Sequence, residues 1–203
     1  VCSSDLQLSD YFKTDGIDLD WEYPVMQGYP GHRHQSEDQQ NFTALVTALR
    51  KQCGKQFTIS FASGGFTAYI DSSIDWKAVM RYVDFVNVMS YDLVHGYSTV
   101  SGHHTPLYST PQQVESTDHA VNGMLAKGVD GRKIVIGAAF YGRFFEMTEP
   151  GATGLYRPCK FNHGFSFKYA ADSLRMENGF ETNWDSTAQA PYAINRDRKL
   201  LAT

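Results

Sequence analysis

Three carboxylate side chains alternate with apolar residues in the segment DGIDLDWEYP, which covers residues 15–24. Asp18, Asp20 and Glu22 are two residues apart, so in an extended strand they share one face, with neighbours roughly 6–7 Å apart. Acidic residues are disfavoured inside strands, and like charges on one face repel each other. A sequence that accepts both costs usually keeps such groups for chemistry. Pro24 lacks an amide hydrogen for the next ladder bond, so we expect the strand to end just beyond Glu22.

Several kinds of site could use these acids. A calcium loop of the D-x-D-x-D type needs glycine at its sixth position and glutamate at its twelfth, but counting from Asp18 those positions hold Tyr23 and Tyr29. Magnesium would need ligands from elsewhere, and none is evident, whereas a structural network of buried acids stays open. Paired carboxylates also suit acid catalysis at a glycosidic bond, because a neighbouring charge and an apolar surrounding both favour a protonated carboxyl near neutral pH.

The composition narrows the class of protein. A net charge of −4 over 203 residues gives no reason to expect nucleic acid or an anionic membrane as a partner. The histidine pairs 32/34 and 103/104 lie in polar loops without completing a ligand set, so we expect them to be solvated and expect no metal site. Cys53 and Cys159 have no metal-type spacing, and we expect two unpaired thiols. We also expect no cofactor.

Strands and helices alternate along the chain in a way that would position the acids. Apolar runs predict strands over residues 57–62, 83–90 and 133–140, and helical periodicity predicts helices over residues 8–13, 36–53, 74–82 and 112–128. Such strands are buried on both faces and imply parallel βα units, as a doubly wound sheet or as a (β/α)8 barrel. Polar residues fall at or beyond the carboxyl ends of three strands, namely Glu22, Tyr91-Asp92 and Tyr141/Arg143. Polar groups from three strands at one rim favour the barrel, because barrel active sites lie there.

The same segments resemble family 18 glycoside hydrolases, the chitinase family. DGIDLDWEYP is similar to the family signature D-x-x-D-x-D-x-E, with Asp15, Asp18, Asp20 and Glu22 at its fixed positions. VMSYDL at residues 88–93 is similar to the family's M-x-Y-D strand, and GAAFYGR at 137–143 resembles its seventh-strand motif. NWDSTAQAPYAIN at 183–195 resembles the end of its insertion domain.

The resemblance implies an α/β fold, a partial (β/α)8 TIM barrel with a small α+β insertion domain. We expect residues 1–6 to be a non-native leader and residues 7–143 to supply barrel strands four to seven. Residues 144–198 would form a shortened insertion domain with one helix around 169–177, and residues 199–203 would begin a truncated strand eight. Because a full barrel typically needs about 250 residues, we expect this polypeptide alone to expose strand edges, to be poorly soluble and to be nearly inactive.

The resemblance also implies a retaining, substrate-assisted mechanism. Glu22 would protonate the leaving glycosidic oxygen. Asp20 would stabilise the oxazolinium ion that the substrate's acetamido group forms, and Asp18 would hold Asp20. Tyr91 would bind the acetamido group. The implied substrate-binding residues are Tyr23, Met89, Asp92, Tyr141, Arg143 and Trp184. Phe66, Tyr69 and Tyr97 are further candidates for sugar stacking, although ordinary packing is the commoner role for any one of them.

The expected partners are chitin or N-acetylglucosamine oligosaccharides, and the expected state of the full-length protein is a monomer. This substrate class favours an extracellular or periplasmic location. Two alternatives stay open, an endo-β-N-acetylglucosaminidase acting on glycans and a chitin-binding lectin on the same fold. The lectin loses catalysis when the acid is replaced, so the presence of Glu22 favours the enzyme.

Overall fold

The computed structural model describes the backbone of residues 3–149 and 154–203. Within these ranges it describes the side chains from residue 6 onward. The chain divides into two compact units. The first contains the chain as far as Met89 together with Ala120–Gly137, and the second contains Ser90–His119 and Ala138–Thr203. The expected leader overlaps a helix, α1, over Ser3–Phe12, while Val1 and Cys2 lie outside the described residues. The origin of residues 1–6 stays a prediction.

A four-stranded parallel sheet organises the first unit. Its strands follow chain order, each pairing with the next, as the βα repeat predicted. The strands are β1 (Gly16–Leu19), β2 (Thr58–Gly64), β3 (Phe85–Met89) and β4 (Ile134–Ile136). The helices between them are α2 (Asp38–Cys53), α3 (Thr67–Ser72), α4 (Trp76–Val79) and α5 (Thr117–Ala126).

Helix α2 covers this sheet through its apolar stripe. Phe42, Val46 and Leu49 are buried at helical spacing, and they belong to the same core cluster as Phe61 of β2 and Val86 of β3. Gly54 ends the helix at a φ of 76°, in the left-handed region that glycine tolerates. The sequence predicted this helix, its buried face and its glycine end.

Several boundaries differ from the prediction for local reasons. Helix α3 lies in a segment predicted as loop, and α4 covers only part of the predicted 74–82 helix. Helix α5 begins at Thr117, five residues later than predicted, because Gln113 is used in a turn. The Gln113 backbone N–H donates a hydrogen bond to the Thr110 hydroxyl at 3.1 Å, and the Gln113 side-chain amide donates to the His103 carbonyl at 2.7 Å. These bonds hold the preceding segment outside the helix.

A five-stranded antiparallel sheet organises the second unit, in the order β6-β5-β9-β8-β7. Its strands are β5 (Tyr141–Met147), β6 (Cys159–Ser166), β7 (Glu181–Asp185), β8 (Ala190–Asn195) and β9 (Leu200–Ala202). The expected helix around 169–177 is reduced to α6 (Ala170–Ser173), with 3-10 turns on either side of it at Phe167–Tyr169 and Met176–Asn178. An α+β composition for this region was predicted.

The end of the chain pairs differently from the expected start of barrel strand eight. Leu200–Ala202 lies between β5 and β8 and is antiparallel to both. The turn after Asn195 returns the chain directly beside β8, with Asn195 opposite Leu200 in register. A short hairpin connection of this kind produces antiparallel pairing, whereas a parallel strand needs a long crossover. The assignment of 199–203 to a parallel barrel strand is therefore corrected.

The two cysteines that the structure describes, Cys53 and Cys159, are both free thiols, as predicted. Within the described ranges, no helix is long and apolar enough to cross a membrane.

Candidate active site

Asp18 lies on β1 and accepts hydrogen bonds from side chains of the next two strands of the sheet, β2 and β3. The Ser60 hydroxyl of β2 donates to its Oδ1 at 2.5 Å, and the Asn87 amide of β3 donates to the same oxygen at 2.9 Å. The parallel register explains both bonds, because Asp18 is the direct partner of Ser60, and Asn87 pairs with the second residue after Ser60 on β2. Sequence reasoning missed both donors, although polar residues inside otherwise apolar strands were the available signal.

Asp20 and Glu22 follow β1 as exposed residues. The strand ends at Leu19, earlier than predicted, so these two acids lie outside the ladder of hydrogen bonds. Acidic side chains are disfavoured in strands, and the proline that follows cannot donate to a ladder. The acids therefore follow the carboxyl end of β1, where the prediction placed Glu22, but on non-strand backbone.

The aromatic residues next to these acids pack mainly against one another. The Tyr23 ring makes edge contacts with the rings of Phe66 and Tyr69, with centroids 5.4 Å apart in each pair. Tyr69 is 1% exposed, so this candidate for sugar stacking has the ordinary packing role that was expected to be commoner. Burial raises the pKa of the Tyr69 hydroxyl, and the charges of Asp20 and Glu22 add to the shift. Tyr69 is therefore a protonated core residue, and the charges of Asp20 and Glu22 act on its hydroxyl.

The loop after Glu22 folds back onto the backbone of the same residue. A Cβ atom added at Gly28 would lie 2.0 Å from the Glu22 carbonyl oxygen and 3.3 Å from the Tyr23 amide nitrogen. The buried Asp38 carboxylate holds this loop, because its Oδ2 accepts N–H donors from Gln35 at 2.9 Å and from Val25 at 3.4 Å. Gly28 therefore packs directly against the backbone of Glu22, at a position that has room only for glycine.

We therefore expect Gly28→Ala to displace Glu22 and to lower the free energy of unfolding by about 1–3 kcal/mol, the usual cost of overpacking, and to reduce any activity that depends on Glu22. Kinetics and chemical denaturation of both proteins would check this. The matched control is Gly131→Ala, where the added Cβ meets Leu125 at an ordinary 3.5 Å. Unchanged kinetics in Gly28→Ala would contradict the support assigned to this loop.

A second group of predicted residues meets in the other unit. The Arg143 guanidinium donates through Nε to Asp92 Oδ1 at 2.5 Å, and the Tyr141 hydroxyl also bonds this carboxylate. The Tyr91 and Tyr141 rings meet edge to face, with centroids 6.1 Å apart. Arg143 lies over the Tyr141 ring at 5.6 Å. Tyr141 and Arg143 belong to β5 of the antiparallel sheet, not to the end of the parallel strand where the sequence placed them.

Asp92 is held in an unusual conformation and charge state. Its φ of 55° lies in the left-handed region, which costs energy for a residue other than glycine. Burial alone favours the neutral acid, but the adjacent His104 ring and the hydrogen-bond donors of Arg143 and Tyr141 outweigh it and hold the pKa of Asp92 well below its usual range. Asp92 therefore stays a carboxylate through the pH range in which ordinary carboxyl groups gain a proton.

The prediction that both histidine pairs are solvated was wrong for the second pair. His103 and His104 are 1% and 3% exposed, respectively. His103 bonds Asp185 Oδ2 through Nε2 at 3.1 Å, and burial lowers its pKa. In the first pair, His32 is half-buried and His34 is exposed. Among the described residues, no group of three or more His, Cys, Asp or Glu side chains is arranged to hold a metal ion.

The remaining predicted residues occupy separate positions. Met89 is the last residue of β3 and is half-buried, and its carbonyl accepts the Gly65 N–H at 3.2 Å. Trp184 lies on β7 with 58% of its surface exposed, as a platform for a flat ligand requires. Tyr97 is 72% exposed, in the segment after β3.

Comparison with known proteins decides the family. The family model described as "Glycosyl hydrolases family 18" matches residues 4–202. The chain belongs to glycosyl hydrolase family 18. It is 29% identical to chitinase A1 of Niallia circulans, in an alignment that covers 93% of this chain and 30% of that relative. Family 18 was thus correctly identified from the four motifs.

Two solved structures of family 18 enzymes extend the comparison to the fold. Chitinase ChiA74 from Bacillus thuringiensis matches with a TM-score of 0.89 at 28% identity, covering 98% of this chain and 37% of that one. A glycoside hydrolase family 18 N-acetylglucosaminidase from Paenibacillus barengoltzii matches with a TM-score of 0.86 at 33% identity, covering 97% and 60%.

The family relationship accounts for the parallel sheet. Family 18 chitinases are TIM barrels, so the four parallel strands form part of a (β/α)8 barrel, as predicted. The chain spans less than two thirds of each of these three relatives.

Proposed function

We propose that the protein containing this chain hydrolyses β-1,4 linkages between N-acetylglucosamine units, in chitin or chito-oligosaccharides. The proposed mechanism is retaining and substrate-assisted. The observation that supports it best is the intact series Asp18, Asp20 and Glu22, in which Asp18 is held by donors from β2 and β3. Asp18 is therefore anchored by the sheet, whereas Asp20 and Glu22 follow the end of β1 on non-strand backbone, so the three acids are held differently.

Glu22 is the proposed general acid. It would donate its proton to the glycosidic oxygen as the bond to the leaving sugar breaks. The substrate's acetamido oxygen would attack the anomeric carbon, forming an oxazolinium ion with its positive charge shared between nitrogen and oxygen. Water, activated by the same carboxylate, would then open the ring and restore the acetamido group. Glu22 regains its proton in this step, so the cycle closes.

Asp20 is the proposed partner of the acetamido N–H. Its negative charge would orient the acetamido oxygen for attack and would stabilise the cation as it forms. Asp18 would act through Asp20, since the two donors on its Oδ1 fix its position. A proton shared between the two aspartates would let Asp20 turn from Asp18 toward the substrate.

The proposed contacts with the sugar come from the other predicted residues. Tyr91 would hydrogen-bond the acetamido group, and Met89 would shape the floor of the site. Asp92 is charged and tied to Arg143, so it can accept hydrogen bonds from sugar hydroxyls. The remaining proposed contacts are Tyr23, Tyr141, Arg143 and, as an exposed stacking platform, Trp184.

The acetamido group provides the test of this mechanism. We expect the full-length protein to cleave N-acetylglucosamine hexamers and to act at least about 10³-fold more slowly on glucosamine hexamers, which lack the internal nucleophile. Proton NMR of the first product should show the β-anomer. Comparable cleavage of both hexamers, or an α-anomer first, would contradict substrate assistance. Hydrolysis confined to glycan cores would favour the endo-β-N-acetylglucosaminidase, and binding without hydrolysis would favour the lectin.

A further inference from the structure

Phe161 was not among the residues predicted from the sequence, yet its ring contacts one of the proposed sugar-binding residues. It lies on β6, and Cζ of the Arg143 guanidinium lies over its ring, 5.4 Å from the ring centroid. The same atom lies 5.6 Å from the centroid of the Tyr141 ring. An aromatic face attracts a cation within about 6 Å of its centroid. Arg143 is therefore held by two rings as well as by its hydrogen bond to Asp92.

A β-bulge in β6 brings Phe161 to this position. Arg143 of β5 is opposite Gly164 of β6, which has no side chain to separate the guanidinium from its diagonal neighbour. Two residues further along β5, Phe145 is opposite Phe161, so β6 advances by three residues where β5 advances by two. In a regular pairing Asn162 would be opposite Phe145, and Phe161 would point to the other face of the sheet. The extra residue of the bulge therefore places the Phe161 ring on the face that carries Arg143.

The neighbours of the Phe161 ring connect it to both members of the Arg143–Asp92 pair. The buried Phe145 ring packs on it edge to face, with centroids 6.1 Å apart. The ring also meets Gly96, where an added Cβ would lie 3.4 Å from Cδ1 of Phe161. Gly96 follows Asp92 by four residues in the segment after β3. Phe161 thus contacts Arg143 directly and also packs against the backbone segment that carries Asp92.

We propose that Phe161 is a positioning residue, whose ring face keeps the Arg143 guanidinium in the orientation that bonds Asp92 and binds the sugar. This inference rests on the proposed function for its kinetic consequence, but not for the contact itself. The hydrogen bond through Nε fixes one edge of the guanidinium, and the ring face attracts its positive charge. Without the ring, Arg143 would sample more orientations, and binding of the sugar would have to restrict them.

The contact is tested first, in a measurement that needs no substrate. The exchange rate of the Arg143 Nε–H with water, measured by ¹H–¹⁵N NMR of the full-length protein, reports how long its hydrogen bond to Asp92 persists. We expect this exchange to be at least about twofold faster in Phe161→Leu, since a cation–π contact contributes a factor of about two to five. Phe180→Leu is the matched control, because Phe180 is a buried ring of the same unit that packs on Phe144, on the opposite face of β5. It should leave the exchange unchanged.

The positioning role is tested by the way the loss divides between KM and kcat. In Phe161→Leu, which keeps an apolar side chain but removes the ring face, we expect KM for N-acetylglucosamine hexamers to rise about two- to fivefold. The value of kcat should stay unchanged, because a contact that fixes Arg143 both before and during the reaction affects binding alone. Phe161→Tyr keeps the ring face and should match the wild type, and Phe180→Leu should keep the wild-type KM.

A graded series separates attraction by the ring face from packing. Fluorine atoms withdraw electron density from the face of a phenyl ring and change its shape little. Mono-, di- and trifluorophenylalanine at position 161 should therefore raise KM and the Nε–H exchange rate stepwise. An exchange rate that stays at the wild-type value through the series would overturn the contact. An unchanged KM alongside faster exchange would overturn the positioning role.

These results separate the possible failures. If the protein hydrolyses no N-acetylglucosamine oligomer, the proposed function fails, while the exchange rate still decides whether the Phe161 ring holds Arg143. If Phe161→Leu does not fold, the fluorinated series decides the same question, because each of its members keeps the packing of the ring.

Discussion

Glu22→Gln is expected to lower kcat for the hydrolysis of N-acetylglucosamine oligomers by about 10³-fold in the full-length protein, since general acid catalysis typically contributes about 10²–10⁴-fold. Glutamine has nearly the same shape as glutamate and can still form hydrogen bonds, but it has no proton of suitable acidity for the leaving oxygen. Binding of the oligomers should persist, because the sugar contacts proposed for Asp92, Tyr141 and Arg143 do not involve this carboxyl group.

The measurement pairs steady-state kinetics with calorimetric binding of a hexamer. Glu37→Gln is the matched control, because Glu37 is an exposed acid of the same unit that precedes α2. We expect it to leave both kcat and Kd unchanged. If Glu22→Gln kept more than about a tenth of the wild-type kcat, another group would be the acid and the assignment of Glu22 would be wrong. A loss of binding equal to the loss of turnover would make Glu22 a binding residue.

The sequence predicted the elements that repeat with a regular period. Helix α2 shows why, because Phe42, Val46 and Leu49 carry the helical spacing and Gly54 supplies the end signal within the same local window. The parallel order of β1 to β4 follows equally from apolar runs separated by helices. In these cases local preference and tertiary packing favour the same structure, so a local interpretation is sufficient.

The prediction failed where long-range contacts decide the structure. His103 and His104 occur in a polar loop, and nothing near them in sequence indicates that Asp185, 82 residues away along the chain, bonds the first of them. Leu200–Ala202 has the apolar composition of a buried strand in either sheet. Its place between β5 and β8 depends on the short turn that precedes it.

The candidate site was predicted unevenly for the same reason. The acids of residues 18–22 were found because their alternation is local and unusual. Ser60 and Asn87, which hold Asp18, were missed because a single polar residue in a strand becomes informative only when the register of the sheet is known. Signature motifs therefore located the groups proposed for chemistry, whereas the groups that support them became visible only in the structure.

Asp20→Asn is expected to lower kcat by about 10²-fold, within the range found when one preorganised electrostatic contact is removed. Asparagine can still hydrogen-bond the acetamido N–H, but it has no negative charge to stabilise the oxazolinium ion. The loss should therefore fall mainly on kcat and not on KM, because that charge matters most as the cation forms. Kinetics on N-acetylglucosamine oligomers across a range of pH would measure both effects.

The pH profile of kcat gives the sharper result, and the direction in which it shifts follows from the charge of Asp20 next to Glu22. A negative charge beside Glu22 favours the protonated form of its carboxyl group, so removing that charge lets Glu22 lose its proton at lower pH. The alkaline limb of kcat should therefore move toward acid in Asp20→Asn. Asp10→Asn, a change of the same charge at an exposed position of α1, should leave the limb in place. A limb that stays fixed in Asp20→Asn would mean that the charge of Asp20 does not act on Glu22, and Asp20 would then act on the substrate alone.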